Sequence, residues 1–361
     1  MHLGSCYIGP GQPPYVIAEI GVNHDGSVPK ARRLVDAAKE ANADAIKLQF
    51  FKTDLLVSSA SQLAGYQSRT DATDPRELLE PLELPIDALK TVADLARKLE
   101  LDPIVTVFSA ELVQAAETID WIAYKTSSTD ITNRPLLEAL ACTGRPILLS
   151  TGAATLDEVE RAVRWLKGSD FALIQCVSAY PTPDESAALA GIRALSNAAP
   201  VPLGYSDHTM ATDTGALAVA AGASILEKHL TLDRSGPGPD HATSLEPAQF
   251  AEYVRLAHRA HAMLGESGKR VLAIEQDVRS ASRQSIVVTR RLDADHVITR
   301  DDLTIKRPGI GIEPWRMDEI VGRRLARAVE ADTPLVMRDL ETADSSEVQN
   351  TVTSISGLRS R

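Results

Sequence analysis

Two histidines, His208 and His229, stand where apolar runs give way to polar turns, in PLGYSDH (202–208) and SILEKHLT (224–231). The Ala-rich stretch Asp213 to Ala223 lies between them and has the composition of a helix. Two consecutive parallel strands around one helix bring both imidazoles to the same end of a sheet. Imidazoles meeting there suit a divalent cation, with Asp207, Lys228, Asp233 and Asp240 supplying charge nearby. The competing reading is two polar residues ending strands in unrelated loops.

The same kind of position recurs along the chain. Glu19 ends a first strand, YVIAEIG (15–21), and Lys47 and Gln49 lie in a second, AIKLQFF (45–51). Thr106 is in PIVTVF (103–108), Lys125 and Ser128 are in WIAYKTSS (121–128), and Ser150 is in PILLSTG (146–152). Ser178 and Tyr180 follow FALIQCVS (171–178), and Ser206 and His208 end the seventh strand. Two lysines and several hydroxyls suit a phosphate and a carboxylate. One carboxylate and two imidazoles suit a proton donor or orienter and a metal. Lys47, Lys125 and Glu19 are equally readable as buried ion pairs that only hold a barrel together. His24, His241, His258, His261 and His296 read as solvated residues or simple hydrogen-bond partners, with His241, in GPDH, the least certain of them.

Helical spacing follows each strand, for example Val28, Ala31, Leu34, Val35 and Ala38, or Leu89, Val92, Ala93, Ala96 and Leu99. Further helices centre near Ala115, Leu137, Val159 and Leu189, and the last runs from Pro247 to Leu264. Eight β/α units in about 250 residues are what a (β/α)8 TIM barrel requires, with its chemistry at the C-terminal ends of the strands. A doubly wound sheet is disfavoured because no GxGxxG follows the first strand. The reading places the barrel in residues 1–265, a linker carrying a helix around Val271 to Val278 in 266–282, a small mixed domain in 283–340 and a disordered polar tail in 341–361.

Composition narrows the function. The 361 residues are 44% hydrophobic and carry a formal charge of −11, which argues against a general nucleic-acid binder. A few converging lysines still accommodate a small anion. No apolar run approaches membrane-spanning length, and Met1 to Pro10 lacks the form of a signal peptide. Three cysteines without a CxxC pair point to a reducing cytoplasm.

The ordered motifs AEIGVNHDGS (18–27), IKLQ (46–49), YKTSSTDITNRPLL (124–137), LLSTGAA (148–154), AYPTP (179–183), GYSDHT (204–209), EKHLT (227–231) and GPDHATSLEP (238–247) carry a family resemblance. Together they resemble the bacterial sialic acid synthases, which condense phosphoenolpyruvate with an N-acetylated amino-hexose. ITRDDLTIKRPGIGI (298–312) is similar to the C-terminal domain that those enzymes share with type III antifreeze proteins, the SAF or β-clip domain.

The resemblance implies roles residue by residue. His208 and His229 match the metal ligands, and Glu19 matches a carboxylate beside the reacting carbons that handles a proton or steadies positive charge. Lys47, Thr106, Lys125, Ser128, Ser150 and Ser206 match residues that hold phosphoenolpyruvate. Gln49, Asp130, Tyr180 and Asp240 match residues that hold the sugar. Arg307 matches an arginine that reaches the sugar of a partner subunit, which implies a domain-swapped homodimer. Manganese is the implied cation, with magnesium or cobalt as substitutes; imidazole ligands by themselves also suit zinc or iron.

Three departures concern the acceptor side or loop shape: KTSS where KIGS is usual, Thr70–Asp71 where a substrate-facing Asn is often found, and Ser178 where some relatives carry Asn. N-acetylmannosamine is the first acceptor expected, giving N-acetylneuraminate. A 2,4-diacetamido-6-deoxy sugar giving legionaminate is the alternative, with pseudaminate less favoured. Rivals of other kinds are a non-catalytic carbohydrate- or ice-binding protein and a heptulosonate- or octulosonate-phosphate type of synthase.

Overall fold

A computed structural model describes residues 1–63, 74–266 and 268–341. Thr70 and Asp71, and residues 342–361 of the expected tail, lie outside the described residues. The chain forms two compact units, Met1–Ser267 and Gly268–Arg361.

The first unit is a closed eight-stranded parallel barrel. Its strands are β1 (Tyr15–Glu19), β2 (Ala45–Phe50), β3 (Asp102–Val107), β4 (Ala123–Lys125), β5 (Ile147–Ser150), β6 (Phe171–Cys176), β7 (Leu203–Asp207) and β8 (Ile225–His229). Each pairs with the next in sequence, and β8 closes on β1. One principal helix follows each strand: α1 (Val28–Glu40), α2 (Ile86–Lys98), α3 (Ala110–Ala116), α4 (Arg134–Ala141), α5 (Leu156–Trp165), α6 (Ala190–Leu195), α7 (Thr214–Ala221) and α8 (Pro247–Leu264). The β/α alternation expected from the sequence is the fold. The loop expected over about 53–80 contains two short helices, Thr53–Leu56 and Pro75–Leu79.

Local chemistry sets the helix ends. Ser27 caps α1 by accepting from the Lys30 N–H, and a Thr155–Glu158 capping box starts α5. Helix α7 stops at Gly222, whose φ of +114° suits glycine. Gly215 of α7 lies against Tyr253 of α8 so closely that an added Cβ would fall 2.4 Å from the ring.

Strand alternation divides the barrel into an outside and a layered inside. Outward residues such as Val16, Ile46, Val105, Leu149, Tyr205 and Leu226 pack with the helices into the main core. Inward residues Tyr15, Ile17, Ala45, Ile104, Ala123, Leu148, Ala172, Ile174 and Ile225 form a second cluster with Leu3 and Ile8. An N-terminal hairpin, His2–Leu3 with Cys6–Tyr7, brings Leu3 to this cluster. Two residues further along each strand the inward positions become polar, which places ionisable groups on an apolar floor.

In the second unit β9 (Ser285–Val288) pairs antiparallel with β10 (Leu303–Lys306) over a core that includes Ile286, Leu292, Ile320, Leu325 and Leu335. Two buried carboxylates brace it. Asp302 accepts from Arg290, His296 and the Thr299 N–H and hydroxyl, and Asp339 accepts from Arg327 and the Val336 N–H. The helix expected around Val271 to Val278 forms instead at Gln276–Ser282, after a 3₁₀ turn at Ala273–Glu275.

Candidate active site

The polar layer is continuous around the barrel because its members sit at matching register. Glu19 pairs in register with both Lys47 and His229, Gln49 with Thr106, Thr106 with Lys125, Cys176 with Ser206, and Ser206 with Glu227. Lys47 is ion-paired with Glu19 and donates to Thr106 Oγ1 at 2.9 Å, while Gln49 Nε2 donates to Glu19 Oε1 at 3.1 Å. Lys125 Nζ donates to the Thr126 carbonyl at 3.1 Å and lies 3.7 Å from Glu227 Oε2. Ser206 Oγ donates to Glu227 Oε1 at 2.9 Å.

Two carboxylates thus share two lysines, and their surroundings drive them apart. Burial pushes the Glu19 carboxyl up, against the pull of Lys47 and with the negative charge of Glu227 adding to it. Burial also disfavours the Glu227 carboxylate, but the Lys125 and Lys47 ammoniums, the largest opposing influences, bring Glu227 down to about 2. Burial lowers the Lys125 ammonium, with Glu227 opposing. The second oxygen of each carboxylate faces a lysine, Glu19 Oε2 in the ion pair with Lys47 and Glu227 Oε2 beside Lys125.

A cradle of small groups borders this set. Ser128 Oγ donates to Ser150 Oγ at 3.1 Å and accepts from the Gly152 N–H at 3.1 Å. A Cβ on Gly152 would fall 2.7 Å from Ser128 Oγ and 2.5 Å from Ser178 Oγ, so the close approach exists because residue 152 has no side chain. Gly21 does the same near Glu19, where a Cβ would meet Glu19 Oε1 at 2.4 Å. Both glycines stand in motifs of the sequence, yet nothing in composition distinguishes them from turn glycines.

His208 and His229 are both buried, with ring centroids 5.5 Å apart, and Tyr180 lies 4.1 Å from the His208 ring. His208 Nδ1 is 2.9 Å from the Val177 carbonyl, which fixes an N–H on Nδ1 and makes Nε2 the ring nitrogen available to a cation. Burial, then the His208 and Lys47 charges, hold His229 well below the usual imidazole range, so it is neutral. Its Nδ1 is buried without a hydrogen-bond partner, 3.6 Å from Asp240 Oδ2. Two buried imidazoles, one with its ring fixed by a backbone acceptor, fit a divalent cation. Among the described residues no three His, Cys, Asp or Glu side chains gather closely enough to hold an ion by themselves.

Asp207 and Lys228 do not face this pair. Each precedes a site histidine by one residue, so alternation turns it to the outer face of the barrel, where the two form an ion pair at 3.0 Å. Asp233 accepts locally from Ser235 instead. Asp240 is in place, pushed up to about 7 by burial and then by Glu19. Asp130 follows β4 on a 3₁₀ turn, pushed up to about 6 by burial. Arg307 is exposed on the second unit.

His24 and His241, read as solvated or simply bonded, are buried. His241 donates from Nε2 to Asp25 Oδ1 at 2.9 Å, and Asn23 Nδ2 donates to Ser244 Oγ at 2.8 Å. These bonds join GVNHDGS (21–27) to GPDHATS (238–244). Glu227 and Cys176 went unassigned in the sequence although both share the inward parity of their strands. Cys176 Sγ lies 3.5 Å from Ser128 Oγ and 3.7 Å from His208 Nδ1.

Comparison with known proteins agrees with this architecture. The NeuB family model matches residues 34–269 and the SAF domain model matches residues 283–341. The N,N'-diacetyllegionaminic acid synthase of Legionella pneumophila is 35% identical over 336 residues, covering 91% of this chain and 94% of that protein. An uncharacterized protein of Methanocaldococcus jannaschii is 36% identical over 341 residues, covering 94% of this chain and 98% of that one. Among solved structures, the N-acetylneuraminic acid (sialic acid) synthetase of Leptospira borgpetersenii, in complex with citrate, superposes with a TM-score of 0.69 at 33% identity, over 77% of this chain and 94% of that one. With both models matched in this order on a barrel followed by a small second unit, the chain belongs to the NeuB family and carries a C-terminal SAF domain.

Proposed function

We propose that the protein condenses phosphoenolpyruvate with an N-acetylated amino sugar to give a 2-keto sugar acid and phosphate. The observation that carries this reading is the single buried layer in which two lysines, a hydroxyl and glycine cradle, a raised carboxyl and a buried imidazole pair all face one barrel lumen. Lys47 and Lys125, with Thr106, Ser128, Ser150 and Ser206, hold the phosphate and carboxylate of phosphoenolpyruvate. Gln49, Asp130, Tyr180 and Asp240 orient the open-chain sugar. Arg307 reaches the sugar from a partner subunit in a domain-swapped homodimer.

His208 and His229 hold a divalent cation, assigned as manganese with magnesium or cobalt as substitutes, which when bound polarises the aldehyde oxygen. C3 of phosphoenolpyruvate adds to the aldehyde carbon, water adds at C2, and phosphate leaves by C–O cleavage. Glu19, raised by burial and lying next to Lys47, is suited to carry a proton or to face the positive charge that develops at C2. The reaction is assigned to the cytoplasm, in keeping with three free cysteines.

N-acetylmannosamine is the first acceptor, giving N-acetylneuraminate. A second reading, a 2,4-diacetamido-6-deoxy sugar giving legionaminate, is favoured by relatives from Legionella pneumophila and Campylobacter jejuni whose names are those of N,N'-diacetyllegionaminic acid synthases. Phosphoenolpyruvate labelled with ¹⁸O in its bridging position tests the reaction class. The label is expected in released phosphate; label retained in the organic product would mean P–O cleavage and defeat the reading.

A further inference from the structure

We infer that the Lys228–Asp207 ion pair on the outer barrel face is a positioning device for the two imidazoles. The inference rests on the proposed metal site. Both side chains are fully buried, and neither reaches the lumen. Asp207, the last residue of β7, directly precedes His208, and Lys228 directly precedes His229 on β8; Asp207 and Lys228 are register partners across the strands. The pair therefore links the two imidazole-bearing positions at their own level of the barrel.

Lys228 does more than meet a carboxylate. Its Nζ donates to the Thr209 carbonyl at 2.5 Å and lies 3.4 Å from Thr209 Oγ1. The Thr209 N–H donates to Asp207 Oδ1 at 2.8 Å, and Thr209 Oγ1 bonds Thr214 Oγ1 at 2.9 Å. His208 is thus held between two residues that β8 grips through one ammonium. The Tyr253 ring of α8 covers that ammonium, 5.4 Å from its centroid, and the α7 glycine Gly215 lets the ring reach it. Burial disfavours the Lys228 ammonium, so a purely structural rivet at this place would be made more cheaply from apolar side chains. What the charged pair adds is direction: it fixes strand register and the turn after His208, and with them the separation of the two rings.

Manganese uptake tests this without any acceptor sugar. Free Mn²⁺ is followed by electron paramagnetic resonance against the full chain, its Lys228→Met/Asp207→Asn variant and its Asp207→Asn variant, each with a thermal melt. Asp207→Asn keeps an amide oxygen and the Thr209 carbonyl as acceptors for Lys228, and the double variant removes both charges at nearly constant shape, whereas Lys228→Met alone leaves the Asp207 carboxylate buried without a cation. Both tested variants are expected to melt cooperatively and to bind manganese about 10-fold more weakly than the native chain. Leu137→Ala, a cavity variant in α4 remote from the pair in sequence, lowers the melting temperature and is expected to keep native affinity, which separates positioning from lost stability. Native affinity in either folded charge variant, or an equal loss in Leu137→Ala, overturns the inference. A native chain that takes up no manganese defeats the proposed metal site itself, and the inference with it.

Discussion

Gly152 contributes to the site by having no side chain. Ser128, Ser178 and Cys176 crowd the space where its Cβ would be, at 2.7, 2.5 and 3.0 Å. Gly152→Ala is expected to displace the Ser128 and Ser150 hydroxyls, raising the KM for phosphoenolpyruvate about 10-fold or more while leaving the fold intact, because a 1 Å misplacement costs of that order. Steady-state kinetics with phosphoenolpyruvate varied would check it; an unchanged KM means the cradle does not hold that substrate. Glu227 is read the same way, residue by residue. It lies two positions before His229, so the alternation that turns His229 inward turns Glu227 inward as well. That signal was legible in EKHLT. Nearness in sequence is not nearness in space, which is why Asp207 and Lys228, expected as charge near the imidazoles, turn to the outer face instead.

At the scale of elements, the pairing of α7 with α8 depends on Gly215 lying under Tyr253. Gly215→Ala forces a methyl into the ring and is expected to cost about 1–3 kcal/mol, the usual range for overpacking a filled core. Calorimetric melting checks this, and a native-like melt would mean that α8 shifts freely and is no fixed wall behind β7 and β8. Strands and helices were legible because period-2 and period-3.6 patterns alternate along the chain from Tyr15 to Leu264. Their polar ends were legible too, since a buried lysine or glutamate in an apolar strand stands out. The bonds joining Asn23 to Ser244 and Asp25 to His241 were not. They link residues more than 200 positions apart, and no local pattern encodes such a contact.

Over the whole molecule, the second unit has its own acid-sensitive brace. Burial alone would raise the Asp302 carboxyl, but His296, Thr299 and Arg290 outweigh it and hold it well below the usual carboxylate range. A folded value below the unfolded one means that its contribution is complete above about pH 4 and is lost as pH falls through the folded value. Asp302→Asn should therefore destabilise this unit at neutral pH by about 2 kcal/mol and flatten the acid limb of its melting profile. An unchanged profile would show that the brace carries no stability. The proposed exchange of C-terminal units has a test of its own. Co-expressed Glu19→Ala and Arg307→Ala chains, each inactive alone, should recover roughly a quarter of native activity if Arg307 works in the partner's site of a two-fold dimer; no recovery would put Arg307 to work within its own chain or outside the site.

The most direct test of the central claim is an acceptor screen with phosphoenolpyruvate and manganese, following released phosphate and the mass of the product. The expected result is chelator-sensitive phosphate release with N-acetylmannosamine or a 2,4-diacetamido-6-deoxy sugar, with a product mass equal to the sugar plus pyruvate. Phosphate release only with a phosphorylated sugar, or none with any acceptor, would contradict it.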